Sequence, residues 1–269
     1  LRPFTIAVMK EILHDANPSY SPEDLLCLYA ITGGVAKYIE LFIDAKCYTK
    51  EKMFNYVCRL DSYFLTEGKD LLNQEFSGEF GIYFSILQVI AAGKTKRSEI
   101  DSILQKDMGT YLQNLEGKYE LIKRMKPLLA KQNGKVSAYE IHDNFLRFWF
   151  RFIYPYQSLI ERNLFSLLKS NITNNYEGFT GRTLERYFQD KVMESELFTQ
   201  VGNWWDRKGQ NEIDLIAINE FDHTGIVAEI KRNPHKISMS KLQEKISVLP
   251  GKDFGQYTLE AKAFSIEDM

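Results

Sequence analysis

The sequence has few cysteines and no long apolar run. Its three cysteines are too far apart for a disulfide framework or a zinc-binding pattern; they are Cys27, Cys47 and Cys58. We therefore expect buried thiols in a protein of the reducing cytoplasm. No apolar stretch approaches the roughly 20 residues of a membrane-spanning helix, and no signal peptide is present. The sequence thus predicts no membrane span.

The chain also lacks a strong net charge and a nucleotide-binding loop. Its formal net charge is −2, so any contact with nucleic acid must be local. No GxxxxGK[ST] motif occurs, so the chain does not hold nucleotide phosphates by that route. Leu1 is not a methionine and falls within a pattern that has already begun, so we expect a fragment. A hydrophobic fraction of 44% predicts folded domains, and the length suffices for two or three.

Charged residues interrupt a predicted β-hairpin near the C-terminal end. The apolar runs 213–218 and 225–230 flank a polar turn, which predicts two antiparallel strands. Asp214 lies in the first run. Glu229 and Lys231 lie two residues apart in the second, so they share one face of the strand. Two carboxylates can bind a hard divalent cation, and a lysine beside them can orient water or offset charge on a phosphate.

The spacing of these three residues resembles the signature of the PD-(D/E)XK nucleases. Fourteen residues separate Asp214 from the tripeptide Glu229-Ile-Lys231. The resemblance implies a further acidic residue on an upstream helix, and Glu185 in GRTLERYF is placed to match it. It also implies that Asp214, Glu229 and Glu185 bind Mg²⁺ or Mn²⁺. Lys231 would then act with Asp214 and Glu229 in phosphodiester hydrolysis.

Inert arrangements of the same residues stay open. Asp214 and Glu229 could pair with Lys231 as hairpin carboxylates that bind no metal. We interpret Trp204 and Trp205 as packing residues rather than as platforms for stacked bases. The pattern at 240–249 predicts a helix with a basic side that faces either the substrate backbone or solvent. That side carries Lys236, Lys241 and Lys245.

Residues 79–144 predict a winged helix-turn-helix. Helical patterns cover 80–92 and 97–104, a third helix opens at 107–110, and 121–141 predicts a hairpin with an Asn-Gly turn. The third helix would enter a major groove. Basic residues outnumber acidic ones by only two, so a phosphate-binding wing and a solvated hairpin both stay open. The predicted nucleic-acid contacts are Lys96, Arg97, Lys123, Arg124, Lys126, Lys131 and Lys135.

Three phrases resemble a prokaryotic family of AAA-type, archaeal-ATPase-like P-loop ATPases. They are ITGGVAKYIELF at 31–42, FWFRFIYP at 148–155 and GNWWDRKGQNEIDLIA at 202–217. The first resembles the lid subdomain that follows the nucleotide-binding core. The resemblance implies an ATP-binding core upstream of this chain, as its partner and the only place where ATP binds. A plain helical bundle with a Gly-Gly turn is the alternative for the first phrase.

The sequence predicts an α+β multidomain protein. The predicted units are a helical lid remnant at 1–78, a winged helix at 79–144, a helical connector at 145–176 and an α/β restriction-endonuclease-like PD-(D/E)XK domain at 177–269. The boundary before the last unit is placed in the Asn- and Thr-rich stretch 171–178.

Three functional hypotheses follow from these units. The first is Mg²⁺-dependent hydrolysis of DNA phosphodiesters. The second is a catalytically inactive nucleic-acid-binding or assembly module that is coupled to the missing ATPase core. The third is a protein-interaction scaffold that binds neither DNA nor metal.

Overall fold

The chain folds as a mixed α+β structure in the computed structural model, which describes residues 2–76, 80–130, 138–206 and 209–269. The helices are α1 (Ile6–Ala16), α2 (Pro22–Thr32), α3 (Ala36–Asp44), α4 (Lys50–Val57), α5 (Tyr63–Glu75), α6 (Phe80–Ala91), α7 (Arg97–Leu104), α8 (Gly109–Gly117), α9 (Asn144–Phe152), α10 (Gln157–Glu161), α11 (Phe165–Glu194), α12 (Met239–Ser247) and α13 (Gly251–Phe254). The strands are β1 (Ile122–Met125), β2 (Ala138–Ile141), β3 (Gln200–Trp205), β4 (Glu212–Asn219), β5 (Thr224–Lys231) and β6 (Thr258–Ser265).

Helix α2 is the buried centre of the N-terminal helices. Ser21 and Asp24 form a reciprocal capping box at its start, with Pro22 in the first helical position, as the sequence predicts. Every residue from 24 to 32 is buried. The helix ends at Gly33 and Gly34, whose φ angles of +54° and +84° suit glycine. The Gly34 carbonyl accepts a 2.7 Å hydrogen bond from the Phe4 backbone N–H.

Helix α9 supplies the aromatic core. Phe145, Phe148, Trp149, Phe150 and Phe152 are all fully buried. The Trp149 indole N–H donates a 3.2 Å hydrogen bond to the Leu65 carbonyl of α5. The polar edge of the largest core side chain is thereby satisfied.

Residues 80–141 form three helices followed by a two-stranded antiparallel hairpin. Helices α6, α7 and α8 lie where the sequence predicts them, and Leu112 and Leu115 of α8 are buried. Ile122 of β1 pairs with Ile141 of β2. The predicted Asn-Gly turn lies outside the described residues, as does the predicted boundary at 78–79. The backbone N–H of Tyr139 donates to the Thr95 carbonyl at 2.8 Å and joins the hairpin to the turn after α6.

The stretch in which the sequence places the boundary before the C-terminal unit is helical. Residues 171–178 lie inside the continuous 30-residue helix α11. Their polar side chains bond to the helix's own backbone, because Asn175 donates to the Asn171 carbonyl and Thr173 to the Lys169 carbonyl, both at 2.9 Å. A buried stripe at helical spacing runs through the stretch: Leu168, Ile172, Tyr176, Thr180 and Leu184.

The C-terminal part is a four-stranded sheet in the order β3-β4-β5-β6. The first three strands are antiparallel, and β6 runs parallel to β5 after a crossover through α12 and α13. Leu215 and Ala228 face the main core with α11, whereas Ile216 and Val227 pack with Leu242 of α12. The predicted hairpin is therefore confirmed.

Smaller predictions are settled by burial. Trp204 is buried in the cluster beneath the hairpin and Trp205 is half-buried, as expected for packing residues. Cys27 and Cys58 are buried thiols. Cys47 departs from the expectation, because it is only half-buried and lies in the loop after α3. Within the described ranges, no helix combines the length and apolarity needed to cross a membrane.

Candidate active site

Strands β4 and β5 bring three of the predicted site residues together. The register pairs Leu215 with Ala228, which places Asp214 and Glu229 next to each other along the two strands. The Lys231 ammonium donates to Asp214 Oδ2 at 2.7 Å and lies 3.1 Å from Glu229 Oε1. The expectation that Glu229 and Lys231 emerge on one face is confirmed.

Asp214 is held in place by backbone and side-chain contacts. It is buried, with 6% of its surface exposed. The Ile230 backbone N–H donates to its Oδ2 at 2.8 Å. Gln189 of α11 donates from Nε2 to the Asp214 carbonyl at 3.1 Å. The position of this carboxylate is therefore fixed by the strand pairing and by the long helix, and does not depend on a flexible loop.

A second lysine completes the charge balance around Glu229. Lys245 of α12 donates to Glu229 Oε2 at 2.7 Å. Burial alone would raise the pKa of Glu229, but the hydrogen bonds from Lys245 and Lys231 outweigh it and lower that pKa below its ordinary value. Burial would likewise lower the pKa of Lys231, yet its bonds to Asp214 and Glu229 raise it. Both groups are therefore charged at neutral pH.

Glu185 stands on α11 near this group but is in a different state. Burial raises the pKa of Glu185 to about 8, and the nearby Asp214 carboxylate adds to the rise. Its positive neighbours Arg182 and Lys231 only partly offset these effects. Glu185 is therefore mostly protonated at neutral pH. Its predicted role as a metal ligand stays a prediction.

The donor set fits a small, hard cation through two carboxylates. Asp214 and Glu229 share the Lys231 ammonium, so both carboxylates already surround one positive charge. Mg²⁺ commonly takes one or two protein carboxylates and fills its other positions with water and phosphate oxygens. Among the described residues, no three His, Cys, Asp or Glu side chains are placed to ligate one ion.

Several of the basic residues that are predicted to contact nucleic acid form ion pairs within the protein. Arg97 lies 2.8 Å from Asp107, and Arg124 lies 3.0 Å from Glu116. Lys123 faces the buried Glu140 at 3.8 Å, and burial lowers the pKa of this lysine. Lys96 is exposed and Lys126 half-buried. Lys131 and Lys135 lie outside the described residues.

Sequence reasoning missed two contributors to the site, Lys245 and Gln189. The helical pattern does place Lys245 on the basic side of α12, but its pairing with Glu229 depends on how α12 packs on the sheet. Gln189 lies one turn after Glu185 on α11. No local signal marks it, because its partner is a backbone carbonyl 25 residues away.

Part of the chain is similar to a family without an assigned activity. Residues 149–244 match DUF234, a family described as archaeal and bacterial proteins of unknown function. This match covers α11, the hairpin and most of α12, and thus every residue of the candidate site except Lys245. An uncharacterized protein of Methanocaldococcus jannaschii is 30% identical over 241 residues, which are 86% of this chain and 52% of that protein. The chain thus spans about half the length of the curated relative that it matches. No solved structure matches significantly.

Proposed function

We propose that residues 177–269 form a divalent-metal-dependent phosphodiesterase domain that hydrolyses DNA. The observation that carries this proposal is the convergence of Asp214, Glu229 and Lys231 on one face of the β4–β5 hairpin, with the lysine ammonium 2.7 and 3.1 Å from the two carboxylates. The element order supports it as well, since the long helix α11, strand β3, the β4–β5 hairpin, helices α12 and α13 and strand β6 follow one another.

Asp214 and Glu229 would hold the Mg²⁺ or Mn²⁺ ion, and Glu185 would support them. The bound ion would polarise the phosphate and lower the pKa of the attacking water. Asp214 has little freedom to move, because its Oδ2 also accepts the Ile230 N–H. Such fixed carboxylates favour binding of a cation in one defined position.

Lys231 would act as a cation and not as a base. Its raised pKa keeps it protonated at neutral pH, so it cannot accept a proton from water there. It would donate hydrogen bonds to the phosphate oxygens and stabilise the charge that builds on them. Lys245, which bonds to the other oxygen of Glu229, would orient this carboxylate.

DNA is the proposed substrate because of the unit that precedes the sheet. Three helices and a hairpin at 80–141 have the order of a winged helix, and Lys96 is exposed next to α7. The resemblance to the ATPase family extends the proposal to a partner of this chain. The ITGGVAKYIELF phrase supports an ATP-binding core as a partner of this chain, and nucleotide would bind there.

Nicking of supercoiled plasmid DNA in Mg²⁺ or Mn²⁺ tests the proposal. We expect Asp214→Asn and Lys231→Ala to reduce the rate at least 100-fold, since each removes a group that acts on the phosphate. Strand β6 offers a matched control. Glu260 and Lys262 form an exposed ion pair with the same two-residue spacing, and Lys262→Ala should cleave like the wild type.

A second candidate is a catalytically inactive nucleic-acid-binding module. It is favoured by the fact that Lys231 and Lys245 already satisfy both carboxylates without a metal ion. Binding of Mn²⁺ by calorimetry separates the two. No cleavage with Mn²⁺ binding that Asp214→Asn abolishes would indicate a nuclease with another target. No cleavage and no Mn²⁺ binding would leave the inactive module.

A further inference from the structure

A cavity lined by arginines lies apart from the carboxylate site. It has a volume of about 200 Å³ and lies between the end of α6, strand β2 and helices α9 and α11. Arg147 and Arg151 of α9 and Arg182 of α11 line it. Three guanidinium groups line one small space. This arrangement is unfavourable without an anion between them, because like charges repel and partial burial of each charge costs solvation free energy.

Arg147 is the most deeply placed of the three and has the poorest hydrogen bonds. Only 8% of its surface is exposed. Its guanidinium reaches Asn144 Oδ1 and Thr183 Oγ1, both at 3.5 Å, the outer limit for a hydrogen bond. A guanidinium carries five N–H donors. Burial lowers the pKa of Arg147 to about 10, so it stays charged at neutral pH, with most of its donors weakly satisfied.

The other two arginines are available to a ligand. Arg151 follows Arg147 by four residues, so both lie on the same side of α9. Within the part of the chain that the structure describes, Arg151 has no ion pair. Arg182 lies 3.8 Å from Glu212 and near Glu185 and Glu140, but forms no close ion pair among the described residues. None of the three is bound to a carboxylate in the forked geometry that arginine prefers.

One acidic residue lines the same cavity and offsets only part of the charge of the arginines. Glu140 of β2 is buried and lies 3.5 Å from Arg186 and 3.8 Å from Lys123. Its single charge is shared among these two cations, Arg147 and Arg182. Neither of its oxygens has a hydrogen-bond partner. The wall therefore keeps an excess of positive charge, beside a carboxylate that can accept a hydrogen bond.

We propose that this cavity binds a phosphate group. A planar guanidinium matches two phosphate oxygens at once, and three of them suit a group with two negative charges. A volume of about 200 Å³ lies below the range of about 300–1,000 Å³ that is typical of pockets for drug-sized ligands. The cavity therefore suits a phosphate group better than a whole nucleotide. The ligand is inorganic phosphate or the terminal phosphate of a larger molecule, such as a nucleic-acid end.

This inference goes beyond the proposed hydrolysis, because its residues are different from Asp214, Glu229 and Lys231. A phosphate bound here would contact α9, α11 and the β2 hairpin together. It would join the helix–hairpin unit to the long helix that carries Glu185. Failure of the nuclease test would leave this site unaffected, and the reverse also holds.

Calorimetric titration of the 269-residue chain with inorganic phosphate, at constant ionic strength, tests the proposal. We expect saturable binding by one site. Parallel titrations with a 5′-phosphorylated oligonucleotide and its dephosphorylated counterpart identify the source. Tighter binding of the phosphorylated strand would indicate a nucleic-acid end, and equal binding of the two strands would indicate free phosphate. Saturation by neither phosphate nor the phosphorylated strand overturns the proposal.

A steric variant tests the location without changing the charge. Gly178 lines the cavity on α11, and a Cβ placed there meets no atom within 4 Å. We expect Gly178→Leu to fold, since leucine favours a helix more than glycine does, and to weaken phosphate binding at least tenfold. Gly117→Leu is the matched control, because this glycine of α8 also has open space and does not line the cavity. Equal binding by both variants would place any bound phosphate elsewhere.

A charge variant gives an independent measurement. Arg151→Gln removes one guanidinium that forms no ion pair within the described ranges, so the fold should tolerate it. We expect at least a tenfold loss of phosphate affinity. Arg162→Gln, at an exposed position after α10, should bind like the wild type. Equal losses in both variants would mean that phosphate responds only to total charge, and the site would be rejected.

Discussion

Glu185 is a carboxyl group that the fold keeps protonated. Burial and the neighbouring Asp214 raise its pKa to about 8, far above the ordinary value near 4.5. The folded protein therefore retains a proton that the unfolded chain releases above about pH 4.5. Because the native state binds the extra proton, stability falls as pH rises from about 4.5 to 8 and is constant outside this window as far as Glu185 is concerned.

Glu185→Gln should remove that pH dependence. The amide cannot ionise, so the variant should melt above the wild type at pH 9 and close to it at pH 4.5. A gain of 1 kcal/mol corresponds to about 2–4 °C in a protein of this size. Thermal melts across pH 4.5–9 measure it. Glu177→Gln, an exposed position on the same helix, should track the wild type. The same offset for Glu185→Gln at both pH values would contradict the assignment.

At the scale of residues, the sequence predicts that Asp214, Glu229 and Lys231 come together on the hairpin, and it predicts little else about the site. Strand periodicity is local, so the shared face of Glu229 and Lys231 follows from their spacing alone. The place of Asp214 opposite Glu229 follows from the length of the turn. Lys245 and the arginine cavity could not be predicted, because they depend on how separate helices pack. Nothing in a single sequence specifies the distance between Arg151 and Arg182.

At the scale of elements, one glycine marks where helix α5 meets α9. A Cβ on Gly68 would lie 2.3 Å from the Trp149 ring. Alanine usually stabilises a helix relative to glycine by about 0.5–1 kcal/mol. Here the clash should reverse the sign, and we expect Gly68→Ala to destabilise the protein by about 1–3 kcal/mol. The indole would have to leave its bond to the Leu65 carbonyl.

Urea unfolding checks this reversal against a helical glycine with open space. Gly178→Ala meets nothing within 4 Å and should raise the free energy of unfolding by the ordinary helix propensity. Opposite signs for Gly68→Ala and Gly178→Ala are the expected result. A gain in both variants would mean that Trp149 does not pack over α5 as described.

The sequence predicts the boundaries of helices where capping or helix-breaking residues are unambiguous. Pro22 after a serine predicts the start of α2, and the helical patterns predict α6 and α7 to within a residue. The stretch 171–178 shows the opposite case. Asparagine and threonine favour turns because their side chains compete for backbone groups. Inside α11 the same side chains bond to carbonyls four residues earlier, so composition alone gives the wrong element.

At the scale of the molecule, the continuity of α11 joins the N-terminal helices to the sheet. A single hydrophobic core contains buried residues from both parts of the chain, from Ile6 in α1 to Ile230 in β5. It also includes buried residues of α2, α9 and α11. The Arg232 guanidinium bonds to Thr180 at 2.8 Å and pairs with Glu23. The four predicted domain ranges stay a prediction; what the structure adds is that helices and sheet share packing across them.

Asn175→Pro tests this continuity. In an uninterrupted helix, proline removes a hydrogen bond and clashes with the preceding turn, which costs about 3 kcal/mol or more. In a loop at a domain boundary it would cost little. We expect a large loss of unfolding free energy in urea with Asn175→Pro. Asn175→Ala should be neutral or slightly stabilising, because the position is exposed. Similar stability of the two variants would show that residues 171–178 are not part of a continuous helix.

The 30 residues of α11 form one rigid helix that is about 45 Å long at 1.5 Å per residue. The N-terminal helices contact α11 near both of its ends, since Lys169 lies 3.5 Å from Glu51 of α4 and Glu194 accepts a hydrogen bond from the Ile6 backbone N–H. The last turns also pack on the sheet, where Gln189 bonds to the Asp214 carbonyl. A flexible linker would absorb a displacement, whereas a continuous helix transmits it along its axis. We therefore expect a displacement of the N-terminal helices to reach the backbone that carries Asp214.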